Sequence, residues 1–429
     1  MRLFLAILLV AIPAFARGPS TTSNNDTCDI GVTPAATLLL PYFEVDFKQP
    51  MPKATHTVVT IVNVSPLPRT ANVTLWTDMA YPAFWFPLFL DPYAMRSVDL
   101  YDVFARGAIG GPGAAGPGCA DLPTMLSPAQ RTDLQQAFTT GNAPACPLSN
   151  GVGDVHANAI GYATIDLVAG CSTANPWSKE HFGELLLYDN VLIGDYVQLD
   201  AKSARGGPLV HIRAIPEGGP AGAVVSTNLP YTFYDRYTVG LPSRTSDRRQ
   251  PLPSAFAVRH IEDKSKGLST SLQVWREGVA AGGASCRELG SNRNLDHVEV
   301  VRFDEHENAT INIWCGIIPE CIGPPRTSTA LVWPASLLPS ASTSGDSGGW
   351  VYLNLNNYGS PAYSAAAGRD FRTTVYARQS QNWVIATMFA GSANAFDLPA
   401  APLGNGCSPA PLPTTDPRGL IGPARNATP

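Results

Sequence analysis

Thr57-Val58-Val59-Thr60-Ile61-Val62 and Asn72-Val73-Thr74-Leu75-Trp76-Thr77, separated by the turn Ser65-Pro66-Leu67-Pro68, decide the fold. In the first stretch Val58, Thr60 and Val62 share one face, and Thr57, Val59 and Ile61 share the other. In the second, Val73 and Leu75 share a face. Period-two alternation on both sides of a Pro-rich turn predicts a β-hairpin set in a sheet. Ser97 to Tyr101 reads as a further strand, with Val98 and Leu100 facing one way. The 429 residues hold 38 Gly and 39 Pro, which favours many turns over long helices. One short helix is expected. Ser127 caps it, Pro128 takes its first position and Gln130 completes a capping box, with the helix running on to Phe138.

The second half echoes the first. Leu229-Pro230-Tyr231 matches Leu40-Pro41-Tyr42, and Ser271 to Glu277 matches Asn72 to Asp78. Val298-Glu299-Val300 matches Val98-Asp99-Leu100, and Gly349 to Leu355 matches Gly161 to Leu167. Four echoes in one order predict an internal duplication. The expected fold is mostly β: two related antiparallel β-sandwich-like domains, over 28–215 and 229–407, with one short helix. The bridge is placed near Pro216 to Pro230, and residues 408–429 form a disordered Pro-rich tail. Pro242 to Pro253, with Arg244, Arg248 and Arg249, reads as a polar loop inside the second half.

Residues 1–16 have the form of a signal peptide. Met1-Arg2 is a positive start, Leu3 to Ile12 is an apolar run too short to span a bilayer, and Ala14-Phe15-Ala16 is a small-x-small cleavage site. The mature protein is expected to be secreted or periplasmic, with no integral membrane segment after cleavage. Export lets the eight cysteines oxidise. Cys28, Cys119, Cys146 and Cys171 lie in one half, and Cys286, Cys315, Cys321 and Cys407 in the other. Eight cysteines allow 105 pairings, which fall to nine if each half is self-contained. Zinc is the rival reading, but no cysteine pair has the short gap typical of zinc ligands. Net charge is −5 with 15% charged residues, which argues against a nucleic-acid partner.

Gly345-Asp346-Ser347-Gly348-Gly349 resembles the nucleophile motif of trypsin-like serine proteases. There a Gly-rich turn exposes the Ser hydroxyl beside an oxyanion hole, and a His oriented by an Asp takes the proton. The rest of that pattern is missing: none of the seven histidines is followed by Cys, and Trp350 stands where the family has Pro. If Gly349 matches Gly161, the motif is the loop leading into a strand. Asp304-Glu305-His306-Glu307 is the densest set of ligand types, and it also reads as a solvated turn between strands. Tyr231, Phe233, Tyr234 and Tyr237 form an aromatic run suited to stacking on a ligand or anchoring a partner. Phe84-Trp85-Phe86-Pro87-Leu88-Phe89 reads as a buried strand. No phosphate loop, dinucleotide fingerprint or helical zinc motif is present, so no cofactor is expected.

Five stretches together resemble a set of uncharacterised exported bacterial proteins: Leu38 to Phe43, Val73 to Asp78, Asp99 to Val103, Gln381 to Val384 and Leu403 to Cys407. That resemblance implies a bacterial source and a β-rich fold, and it carries no functional residue across. The function expected is an exported non-enzymatic binding or structural module for an extracellular or periplasmic ligand or protein. The alternative is a secreted serine hydrolase with Ser347 as nucleophile and Asp346 beside the oxyanion hole.

Overall fold

A computed structural model describes residues 33–78, 81–109, 119, 122–144, 152–176, 181–214, 249, 252, 255–276, 298–305, 309–314, 330–334, 348–354, 382–390 and 394–404. Among the described residues the first half holds nine strands: β1 (Thr37–Val45), β2 (His56–Asn63), β3 (Arg69–Thr77), β4 (Pro82–Leu90), β5 (Met95–Asp99), β6 (Ala159–Val168), β7 (Leu192–Leu199), β8 (Ala204–Pro208) and β9 (Val210–Ile212). The second half holds β10 (Ala255–Ile261), β11 (Leu268–Arg276), β12 (Val298–Asp304), β13 (Ala309–Trp314), β14 (Ala330–Pro334), β15 (Gly348–Asn354), β16 (Asn382–Ala390), β17 (Asn394–Pro399) and β18 (Ala401–Gly404). One α-helix, α1 (Pro128–Thr139), stands among the described residues, with two π-helical turns at Asp102–Arg106 and His181–Leu185. Its start is as expected: Ser127 Oγ accepts from Gln130 N at 3.3 Å, and Gln130 Oε1 accepts from Ser127 N at 3.0 Å.

The strands form four antiparallel sheets in a sandwich-like arrangement. Sheet A has the order β5-β2-β7-β8 and sheet B the order β4-β3-β6-β1-β9. In the second half, sheet A′ is β14-β11-β16-β17 and sheet B′ is β13-β12-β15-β10-β18. Adding nine to each strand number of A and B reproduces A′ and B′ without exception. The packing between sheets corresponds as well. Strand β1 lies across β2 and β7, as β10 lies across β11 and β16.

Register agrees too. Leu40 opposes Ala163 on β6, and Val258 opposes Val351 on β15. A Cβ added to Gly161 would lie 2.2 Å from the Trp76 carbonyl oxygen, and one added to Gly349 would lie 2.0 Å from that of Phe303. Trp76 and Phe303 are the partners of Tyr162 and Trp350 in the two registers.

The echo of Gly161–Leu167 in Gly349–Leu355 therefore falls on corresponding strands, β6 and β15. Two others do not: β3 is echoed in β11, whose place in the order is that of β2, and β5 is echoed in β12. Alternating strands share one hydrophobic signature, so sequence alone aligns them by chance. Leu229-Pro230-Tyr231 lies outside the described residues.

Sheets A and B enclose the first core. Val59, Ile61, Val98 and Tyr196 of sheet A face Leu38, Leu40, Val73 and Ile165 of sheet B, all of them buried. Alpha-helix α1 and the first π-helical turn close one end: Phe104 and Phe138 meet Phe43 with ring centroids 6.0 and 5.6 Å away. Sheet B is buried on both faces, because sheet A′ covers its far side. There Tyr162 on β6 meets Trp275 on β11 edge-on, with centroids 5.6 Å apart. Sheet B lies between A and A′, the β8 edge of A also meets β17 of A′, and one hydrophobic core passes through both halves. The Phe84–Phe89 stretch is edge strand β4, with Phe86 and Leu88 buried and Phe84, Trp85 and Phe89 half-buried. Pro82 and Pro87 on this edge remove donors that would recruit another strand.

Candidate functional site

The seam between B and A′ holds the densest polar chemistry among the described residues. Rows set by register put Thr37, Asp166 and Asn72 side by side on the far face of sheet B, with Thr164 and Thr74 in the next row. All five are buried. Asp166 Oδ1 accepts from Thr37 Oγ1 at 2.7 Å and pairs with Arg249 Nη1 at 3.3 Å. Its other oxygen stands 3.8 Å from His181 Nε2. Burial by itself would raise the Asp166 pKa. The nearby His181 imidazole, the Arg249 charge and the Thr37 hydroxyl overcome it and hold the carboxyl below its usual value. Arg249, expected in a polar loop, is fully buried as a counter-ion.

A second network crosses the halves. Tyr196 Oη donates to Asp397 Oδ2 at 2.8 Å, Thr387 donates to Asp397 Oδ1 at 2.7 Å, and Gln273 donates to Thr387 at 3.1 Å. Burial first, then the Asp397 charge and hydrogen bond, push the Tyr196 phenol far above its ordinary pKa. Beside it, Arg205 donates to Gln198 and lies over the Phe389 ring, 5.9 Å from its centroid. A donor or acceptor left unpaired at such depth would be costly, so these bonds specify how the halves dock.

Two histidines pair with carboxylates nearer the surface. His56 Nδ1 lies 2.9 Å from Asp99 Oδ1, and His156 Nε2 lies 2.7 Å from Asp78 Oδ2. Asp78 is buried, and its other oxygen accepts from Asp154 N at 3.1 Å. Burial would lower the His156 pKa, but the Asp78 hydrogen bond and the charges of Asp78, Asp154 and Glu44 raise it. Tyr42 and Asn158 hold Glu44 at 3.0 and 2.6 Å. A His oriented by a buried Asp is part of a proton-transfer pair, and no hydroxyl or thiol nucleophile hydrogen-bonds to His156 among the contacts described.

Ser347, Asp346, Tyr231, Phe233, Tyr234 and Tyr237 all lie outside the described residues. Gly349, on the strand that the motif leads into, is opposed by His260 of β10, which is buried. Asp304 ends β12 opposite Gly349, Glu305 is exposed just beyond, and 306–308 lie outside the described residues. No group of three or more metal-ligating side chains is found among the described residues. Cys119 and Cys171 form a disulfide within the first half, with Cα atoms 5.4 Å apart. Cys28, Cys146, Cys286, Cys315, Cys321 and Cys407 lie outside the described residues. No described helix is long and apolar enough to cross a membrane.

Sequence reasoning missed the Asp166–Arg249 pair and the Tyr196–Asp397 pair. Their partners lie 83 and 201 residues apart, so no local spacing links them. The signal that was present is an acid in the middle of an apolar strand, Ile165-Asp166-Leu167.

These features define a class: a mostly β protein of antiparallel sheets in a sandwich-like arrangement, with paired ionisable groups in its interior among the described residues. The chain matches no family model, no curated protein and no solved structure.

Proposed function

We propose that this chain is an exported, non-enzymatic binding or structural module built by duplication of one nine-stranded unit. The observation that carries the reading is the strand order, identical in A with A′ and in B with B′. Nine strands can be arranged in very many ways, and two independent halves have little reason to choose the same one. The disulfide supports export, since such bonds persist in oxidising compartments. The pairing of buried Asp166 with Arg249 and of Tyr196 with Asp397 supports a scaffold, because these pairs join elements far apart in sequence. The module's expected partner is an extracellular or periplasmic ligand or protein.

The deciding experiment is labelling of the mature protein with a fluorophosphonate probe, beside Ser347→Ala. No labelling of folded protein is expected. Labelling that vanishes in Ser347→Ala would overturn the non-enzymatic reading and make Ser347 a nucleophile. Amino-terminal sequencing of the exported product should begin at Arg17.

A further inference from the structure

The contact between the halves joins two different faces, the outer face of B and the outer face of A′, with the β8 edge of A against β17 of A′ at its side. Tyr162 of β6 meets Trp275 of β11 in that contact. In the duplicated unit, each half owns one face of each kind. The B-type face of the second half, on B′, and the A-type face of the first half, on A, are therefore left over. We propose that B′ of one copy docks on A of the next, repeating between chains the contact that B and A′ make within one. This rests on the duplication proposed above.

Both leftover faces have the surface this requires. On A, Val58 and Val62 of β2 share their outward face with Met95 of β5 and with Ile193 and Val197 of β7. Met95 is 65% exposed and Val197 39%, and the other three are half-buried. A sandwich face turned to solvent normally carries polar residues, so this aliphatic set is anomalous. On B′, Trp350 is 46% exposed at the position Tyr162 holds in B. Arg259 stands over its ring, 6.0 Å from the centroid.

Correspondence fixes which residues meet. Thr57 matches Thr270, because each hydroxyl bridges both backbone groups of one residue on the facing sheet. Counting along the strands, Val62 then matches Trp275. Trp350 of one copy thus falls on Val62 of its neighbour, as Tyr162 falls on Trp275. The two faces also carry opposite charges, exposed Arg259 on B′ and exposed Asp195 on A. Because the two faces differ, the contact is heterologous. It leaves a leftover face at each end of the assembly, and so builds a ring or an open filament.

Sedimentation velocity on the mature full chain tests this, with Val197→Lys blocking the A face and Trp350→Glu blocking the B′ face. Circular dichroism shows whether each variant is folded. The wild type should gain mass with concentration, and each variant alone should stay monomeric. An equimolar mixture of the two variants should form dimers and nothing larger, since one intact A face and one intact B′ face remain to pair. A wild type that is monomeric at every concentration overturns the proposal. So does association that only one substitution abolishes, because that is the mark of a face pairing with itself. A monomer leaves the duplication standing. The duplication fails on a different result: an experimental structure whose halves do not superpose strand for strand.

Discussion

Thr57 and Thr270 do the same thing in the two halves. Thr57 Oγ1 accepts from Glu44 N at 3.3 Å and donates to Glu44 O at 3.2 Å. Thr270 Oγ1 accepts from Ile261 N and donates to Ile261 O, both at 2.9 Å. Each hydroxyl closes the corner where the chain leaves a B-type sheet and enters the A-type sheet beneath it. Valine keeps the shape and leaves a backbone N–H and a C=O without this partner. Thr57→Val and Thr270→Val should each cost about 1–3 kcal/mol. Measured by urea denaturation, the two losses should be similar and should add in the double variant, since the corners lie in different sandwiches.

Arg249 and Asp166 form a buried ion pair, and removing one partner strands the other charge. Arg249→Met should lower stability by about 3–5 kcal/mol, whereas changing both to apolar residues should recover part of the loss. Because the Asp166 pKa is held down in the folded state, its contribution is present above the unfolded value near 3.8. It is lost as pH falls through the lower folded value. Asp166→Asn should therefore flatten the acid limb of a stability–pH curve.

The His156 pKa is raised on folding, so the sign is reversed. Its pairing with Asp78 stabilises most below the unfolded value of 6.5 and fades as pH rises through the folded value. The difference in melting temperature between wild type and His156→Gln should be largest at mildly acidic pH and shrink toward alkaline pH. A difference independent of pH would show that His156 acts by packing alone.

Gly161 and Gly349 each sit against a carbonyl of the neighbouring strand, and any side chain would collide with it. Gly161→Ala and Gly349→Ala should each destabilise by about 2–4 kcal/mol, since backbone has to move. Gly170, with nothing within 4 Å of an added Cβ, is the control and should tolerate alanine. Thermal unfolding of the three variants checks this.

The Cys119–Cys171 disulfide closes a loop across 52 residues. Chain-entropy reasoning gives it about 4 kcal/mol. Cys119→Ser with Cys171→Ser should lower stability by roughly that amount, and a reducing agent should do the same to the wild type.

β2 and β3 were legible as strands because Thr57–Val62 and Asn72–Thr77 alternate around a Pro turn, but the hairpin expected of them does not form: β2 pairs with β5 and β7 in sheet A, and β3 with β4 and β6 in sheet B, because the turn carries the chain from one layer of the sandwich to the other. The start of α1 was legible because a capping box is a local device of four residues. What alternation concealed is which faces meet water. Asn72, Thr74, Thr164 and Asp166 occupy the polar positions of β3 and β6, which a single hairpin would turn to solvent. Here a second sandwich covers them, and they are buried. Arg249 is buried for the same kind of reason, held against Asp166 from a stretch whose composition reads as a polar loop.

The sequence by itself determined the β character and the helix cap, because these depend on neighbours a few residues apart. It also carried the Gly161–Gly349 match. Only the tertiary structure decided the sheet order, the correspondence of all nine strands, the Asp166–Arg249 pairing and the two faces left over at the ends of the stack. Those depend on contacts between residues far apart in sequence, and strands of similar alternation do not say which partner each will choose.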